Sequence, residues 1–134
     1  MVYHILDILF VLFHTALILF NLSGWIWRKT RVLHLVVILA TGVSWLFLGL
    51  LVGTIGYCPL TDWHFIILGK LGKTGLPSSY IKYLADRLTG MDFNSSMIDN
   101  ITLYVFIIAL GFSLSLNIRD FKRNITGRSH NSDR

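Results

Sequence analysis

Three apolar stretches, running roughly from Ile5 to Trp27, Val32 to Ile55 and Met97 to Leu116, are broken apart by short clusters of Lys and Arg. A helix needs roughly 20 apolar residues to cross a hydrocarbon core of about 30 Å, so lipid is the main solvent of this chain. The composition agrees: 54% hydrophobic, 14% charged and a mean hydropathy of +0.63. The first stretch lacks the basic n-region and small-residue cleavage pattern of a secretory signal and runs past its usual apolar length, so it reads as a retained membrane helix.

The fold class expected is all-α: a polytopic membrane protein with three transmembrane helices. A short re-entrant or interfacial helix and an amphipathic helix lie in the external segment. Residues 1–117 form one transmembrane domain, and residues 118–134 a basic, poorly ordered cytoplasmic tail facing lipid headgroups. Arg28, Lys29 and Arg31 fill the first link, whereas Met1 to Asp7 hold no Lys or Arg. The positive-inside rule then places the N-terminus outside and that link in the cytoplasm. Arg119, Lys122, Arg123, Arg128 and Arg134 agree at the other end of the chain. The formal charge of +5 is thus spent on membrane orientation, and nucleic acid is not an expected partner. The expected partner is the bilayer, with a homo-oligomer or another membrane protein as a further possibility.

In the external segment, Pro59 and Thr61 open a short apolar helix over Leu60 to Leu71 that ends at Gly72. Ser78 caps a second helix whose Tyr80, Ile81, Leu84 and Leu88 share one face, with Lys82, Asp86 and Arg87 elsewhere and Gly90 as its stop. Ser96 and Asp99 form an S-x-x-D start for the third crossing.

Polar side chains inside the spans carry the functional question. His4, Asp7, Val11, His14, Ile18 and Asn21 recur at spacings of three and four, so the four polar members line one stripe of the first helix. Ionisable groups in hydrocarbon face protein or water, so the stripe points into the bundle, as interhelical hydrogen bonding or as a polar site or proton path. On the second helix His34, Thr41 and Trp45 share a face, while Gly42 and the Gly49-x-x-x-Gly53 pair serve close helix packing, with homodimerisation as the alternative. A hairpin closed around Arg28 sets His14 beside Thr41 and leaves His34 about 10 Å nearer the cytoplasm. That separation disfavours a haem clamped by both imidazoles.

The external ends gather His4, Asp7, Cys58, Thr61, Asp62 and His64 as the candidate polar site. Asp, His and Cys are competent zinc ligands, yet no spacing here matches a metal motif. No cofactor is the preferred reading, with haem or zinc as the alternatives. Cys58 with His64 as its base would be a nucleophile, and Cys58 as a small buried hydrophobe with Asp62 capping the next helix is the plainer reading. A single cysteine excludes a disulfide within the chain. Hydrolase, P-loop, zincin and C-x-x-C signatures are absent, and there is no Glu. The activity expected is therefore a non-enzymatic scaffold, accessory subunit or ligand-binding module. A metal- or haem-dependent redox protein or enzyme is the alternative.

His14 in the first crossing, Gly24-Trp25-x-Trp27-Arg28 after it, Arg31-x-Leu33-His34 and then Gly56-Tyr57-Cys58-Pro59-Leu60-Thr61-Asp62-Trp63-His64 stand in a recognisable order. Over roughly His14 to Leu88 the chain resembles the uncharacterised membrane family catalogued as domain of unknown function 2784. The resemblance implies a polytopic protein of the bacterial inner membrane and no particular activity, cofactor or partner. Where that family often carries Glu and His in its later stretches, this chain has Asp62-Trp63-His64 and Ser79-Tyr80-Ile81-Lys82-Tyr83. In that compartment the four N-x-S/T sequences, at Asn21, Asn94, Asn100 and Asn124, are chance matches.

Overall fold

The computed structural model describes residues 1–53 and 56–132, with side chains described as far as residue 127. Ile55, at the end of the second apolar stretch, and the side chains of Arg128 and Arg134 lie outside the described residues. The elements are all helical: α1 (Val2–Ser23), α2 (Arg31–Val52), α3 (Pro59–Lys70), α4 (Tyr80–Thr89) and α5 (Ser95–Ser132). α1, α2 and the Ser95–Gly127 part of α5 are long and apolar enough to cross a membrane, and the chain is an integral membrane protein. Their large apolar side chains, such as Leu12, Leu50 and Ile108, face outward because the surrounding solvent is hydrocarbon.

α5 packs along α2 and also touches α1, while α3 lies against α1 and α4 against α5. α4 rises beside the first half of α1: Tyr80 in its first turn stacks on His14, and Arg87 in its last reaches Asp7. Helix boundaries follow local chemistry. Pro59 opens α3 where a missing N–H leaves nothing unsatisfied, with Cys58 before it in extended conformation. Gly90 closes α4 in the left-handed region at φ 72°, as expected of a C-terminal glycine.

Several sequence expectations are corrected. The start of α5 is capped by Asn94, whose Oδ1 accepts from the Met97 amide at 3.1 Å, and not by a Ser96–Asp99 box. α4 is preceded by Ser79 rather than Ser78. It buries Lys82 with Tyr80 and Leu84, since the Lys82 ammonium is neutralised by Asp86 and Asp92, and it leaves Leu88 71% exposed. Asp62 does not cap α3: its carboxylate accepts from the Tyr57 hydroxyl at 2.7 Å. After Asn117 the chain continues α5 as a helix to Ser132. Asn117 donates to the Arg31 and Ser113 carbonyls, and Arg31 pairs with Asp120 at 2.7 Å, which ties the start of that continuation to α2.

The hairpin register differs as well. Asn21, not His14, meets Thr41, with Nδ2 donating to Oγ1 at 3.2 Å. The link between α1 and α2 is a folded loop rather than a turn centred on Arg28. Thr30 donates to the Gly24 carbonyl and Arg31 Nε to that of Trp25, so the first turn of α2 tucks under the end of α1. Gly24 makes this possible, since a Cβ there would stand 2.8 Å from His34 Cδ2 and from the Phe20 carbonyl oxygen.

Among the described residues, Gly49 and Gly53 of the G-x-x-x-G pair sit in different surroundings. Gly53 ends α2 at φ 81°, and a Cβ on it would meet nothing within 4 Å among the described residues. Gly49 is buried, and Gly42 lets Phe106 of α5 approach to 3.3 Å of where a Cβ would stand. Between these glycines, Ser44–Leu48 widens into a π turn, and Trp45 within it packs on Phe106 at 4.8 Å.

Candidate functional site

Along the polar stripe of α1, Asp7 is buried in the second turn of the helix. An ionised carboxylate in that position needs compensating donors, and two other helices supply them. Arg87 of α4 forms a two-pronged pair with it, NH1 to Oδ1 at 2.7 Å and NH2 to Oδ2 at 3.0 Å. His64 of α3, completely buried, stands with Nε2 2.8 Å from Oδ1. A carboxylate only accepts, so Nε2 carries a proton, and in the neutral ring Nδ1 accepts from the Tyr80 hydroxyl at 3.1 Å. The result is one chain of hydrogen bonds, Tyr80 to His64 to Asp7, closed by Arg87.

Aromatic faces hold the chain in place. Phe10 stacks on His64 at 5.3 Å, and His14 lies on the Tyr80 ring at 3.8 Å. Burial pushes the Tyr80 and Tyr83 hydroxyls above their ordinary range, which keeps both as donors or neutral acceptors, and the Arg87 hydrogen bond partly offsets this at Tyr83. The Asp7 carboxylate raises the Arg87 guanidinium further above its already high value. His14 Nδ1 is buried with no hydrogen-bond partner among the described residues.

Next to this cluster a groove of about 570 Å³ opens between the start of α1, the 71–77 connection and α4. His4, Asp7, Lys73, Asp86 and Arg87 supply charge or polarity, and Leu71, Leu76 and Pro77 supply an apolar wall. Asp86 is held well below the usual carboxylate range by Lys82 and by the Phe93 amide, and Lys82 above its own by Asp86 and Asp92. The sign for Asp86 is that of a depressed acid. Its contribution is full above its ordinary value of 3.8 and is lost as pH falls through the lower folded value. Lys82 contributes fully below 10.5 and loses its contribution as pH rises through the higher folded value. Protection from hydrogen exchange over residues 80–93, taken relative to the intrinsic rate at each pH, is expected to hold between these limits and to fall beyond each.

Of the sequence-derived candidates, the structure brings Asp7 and His64 into direct contact and puts His4 on the rim of the adjoining groove. Thr61 is buried one turn before His64, Cys58 is half-buried before α3, and Asp62 is turned to Tyr57. His34 is elsewhere, completely buried toward the Arg31 end: Nε2 donates to the Asn21 carbonyl and Ser113 donates to Nδ1, each at 2.9 Å. Both of its nitrogens are occupied, and it does not face His14. Among the described residues no three His, Cys, Asp or Glu side chains gather as a metal-holding set. Sequence reasoning missed Tyr80, Arg87 and Ser113 as partners. A lone carboxylate within an apolar span was the available signal that some distant cation must meet it.

These helices define a small polytopic membrane protein with a polar cluster near one end of its bundle and a basic cluster near the other. The chain belongs to the family described as Protein of Unknown function (DUF2784), whose model matches residues 4–118. No curated protein and no solved structure is significantly similar to it.

Proposed function

We propose that this protein is a non-enzymatic binding module of the bacterial inner membrane that takes a zwitterionic head, of a lipid or a free solute, in the groove beside Asp7. The N-terminus and the groove lie outside, and the Arg28–Arg31 link and α5 terminus lie in the cytoplasm, as the basic clusters favour. The observation that carries the reading is the lining of the groove. Lys73 and Arg87 stand with Asp7 and Asp86 around one opening, beside Leu71, Leu76 and Pro77. Charges of both signs match a head bearing both, and an apolar wall at the membrane edge suits the chain attached to it. The cluster beneath favours binding over chemistry, because His64 and Tyr80 are buried and engage each other and Asp7.

Native mass spectrometry of the purified protein with short-chain phosphatidylethanolamine, and separately with free phosphoethanolamine, tests this. Retention of the lipid alone assigns a membrane ligand, and retention of both assigns the head. Lys73→Ala is expected to weaken retention about fivefold, the loss of one charge contact. Retention of neither, or an unaffected variant, refutes the reading, and stoichiometric zinc or a Soret band would favour the redox alternative.

A further inference from the structure

α5 is longer than a bilayer requires. Its Ser95–Gly127 part covers 33 residues, roughly 50 Å at 1.5 Å per residue, against a hydrocarbon core of about 30 Å. The last turns therefore stand in a headgroup layer. There, Ile118, Phe121 and Ile125 are 54%, 67% and 55% exposed and recur at spacings of three and four, which aligns them in one stripe. Arg119, Lys122 and Arg123 are exposed on the adjoining face, where they line a shallow cleft with Thr126 and Gly127.

We infer that this segment is a binding site for the headgroup of an anionic phospholipid. The nearby carboxylate, Asp120, is already paired with Arg31 at 2.7 Å and stands 4.0 Å from Arg119, so it leaves the cluster strongly positive. Arg28 and Lys29, exposed on the link that Arg31 joins to α5, add to the same field. The apolar stripe selects lipid over a soluble anion. A free phosphate has no use for Ile118, Phe121 and Ile125, whereas a phospholipid covers them with acyl chain while its phosphate meets the cations.

The test uses the full-length protein in detergent, titrated with phosphatidylglycerol and phosphatidylcholine together, with bound lipid read by native mass spectrometry. The wild type is expected to retain the anionic lipid preferentially. The triple variant R119Q/K122Q/R123Q is expected to lose at least about fivefold of that preference while its circular dichroism stays helical. Lys73→Ala, in the groove, should leave the preference intact, which separates this site from the proposed ligand site. Equal retention of the two lipids by the wild type overturns the inference. So does a triple variant that keeps the wild-type preference, or displacement of the lipid by inorganic phosphate, which would mark a soluble-anion site.

Discussion

Asp7→Ala is expected to be among the most damaging single substitutions in this protein, lowering its stability in detergent by about 2–3 kcal/mol. The substitution removes the acceptor for both Arg87 nitrogens and for His64 Nε2, and His64 is too buried for water to replace it. Breaking a buried pair costs about 3–5 kcal/mol when the remaining charge is fully enclosed. The Arg87 side chain is 38% exposed, so solvent recovers part of that penalty. Thermal unfolding of the purified variant measures the loss. The double variant D7A/R87A should be less destabilised than the sum of the two single changes, because it leaves no orphaned charge. Strict additivity would mean that the three-helix cluster contributes little as a unit.

The second large effect is expected at the opposite end. His34→Ala removes a completely buried ring, both of its hydrogen bonds, and the packing that Gly24 permits beneath the link. A loss of about 2–4 kcal/mol follows from the cavity together with the unpaired Asn21 carbonyl and Ser113 hydroxyl. Ser113→Ala alone should cost about 0.6 kcal/mol, the usual size of an interhelical hydrogen bond in a bilayer. A double-mutant cycle between the two positions reads their coupling directly. Zero coupling would show that the His34–Ser113 bond does not help hold α2 against α5.

Much of the architecture is legible in the residues because lipid imposes a simple rule on them. Three apolar stretches of spanning length and the Gly90 stop needed no tertiary information. The register of α1 on α2 was not legible, since counting from Arg28 assumes a tight turn and the actual link folds back through Thr30 and Arg31. The burial of Lys82 was hidden for a related reason: its two carboxylate partners lie on different elements, Asp86 one turn along α4 and Asp92 beyond Gly90. At the site, the spacing of His4, Asp7 and His14 marked a polar stripe, and proximity after the second span suggested His64. Nothing local singled out Arg87 from Lys70, Lys73 and Lys82 as the cation that would reach Asp7. That choice depends on α4 rising beside α1, which only the packed helices determine.

The separation along the chain between Asp7 and its partners has a bearing on biogenesis. His64 and Arg87 follow it by 57 and 80 residues. At roughly 5–20 residues per second, a ribosome takes on the order of 4–16 s to deliver the guanidinium after the carboxylate has been made. During that interval the first helix carries an unneutralised acid at the membrane edge. Its final seating therefore waits on synthesis of the fourth helix, and a nascent chain truncated before Arg87 would hold α1 only loosely.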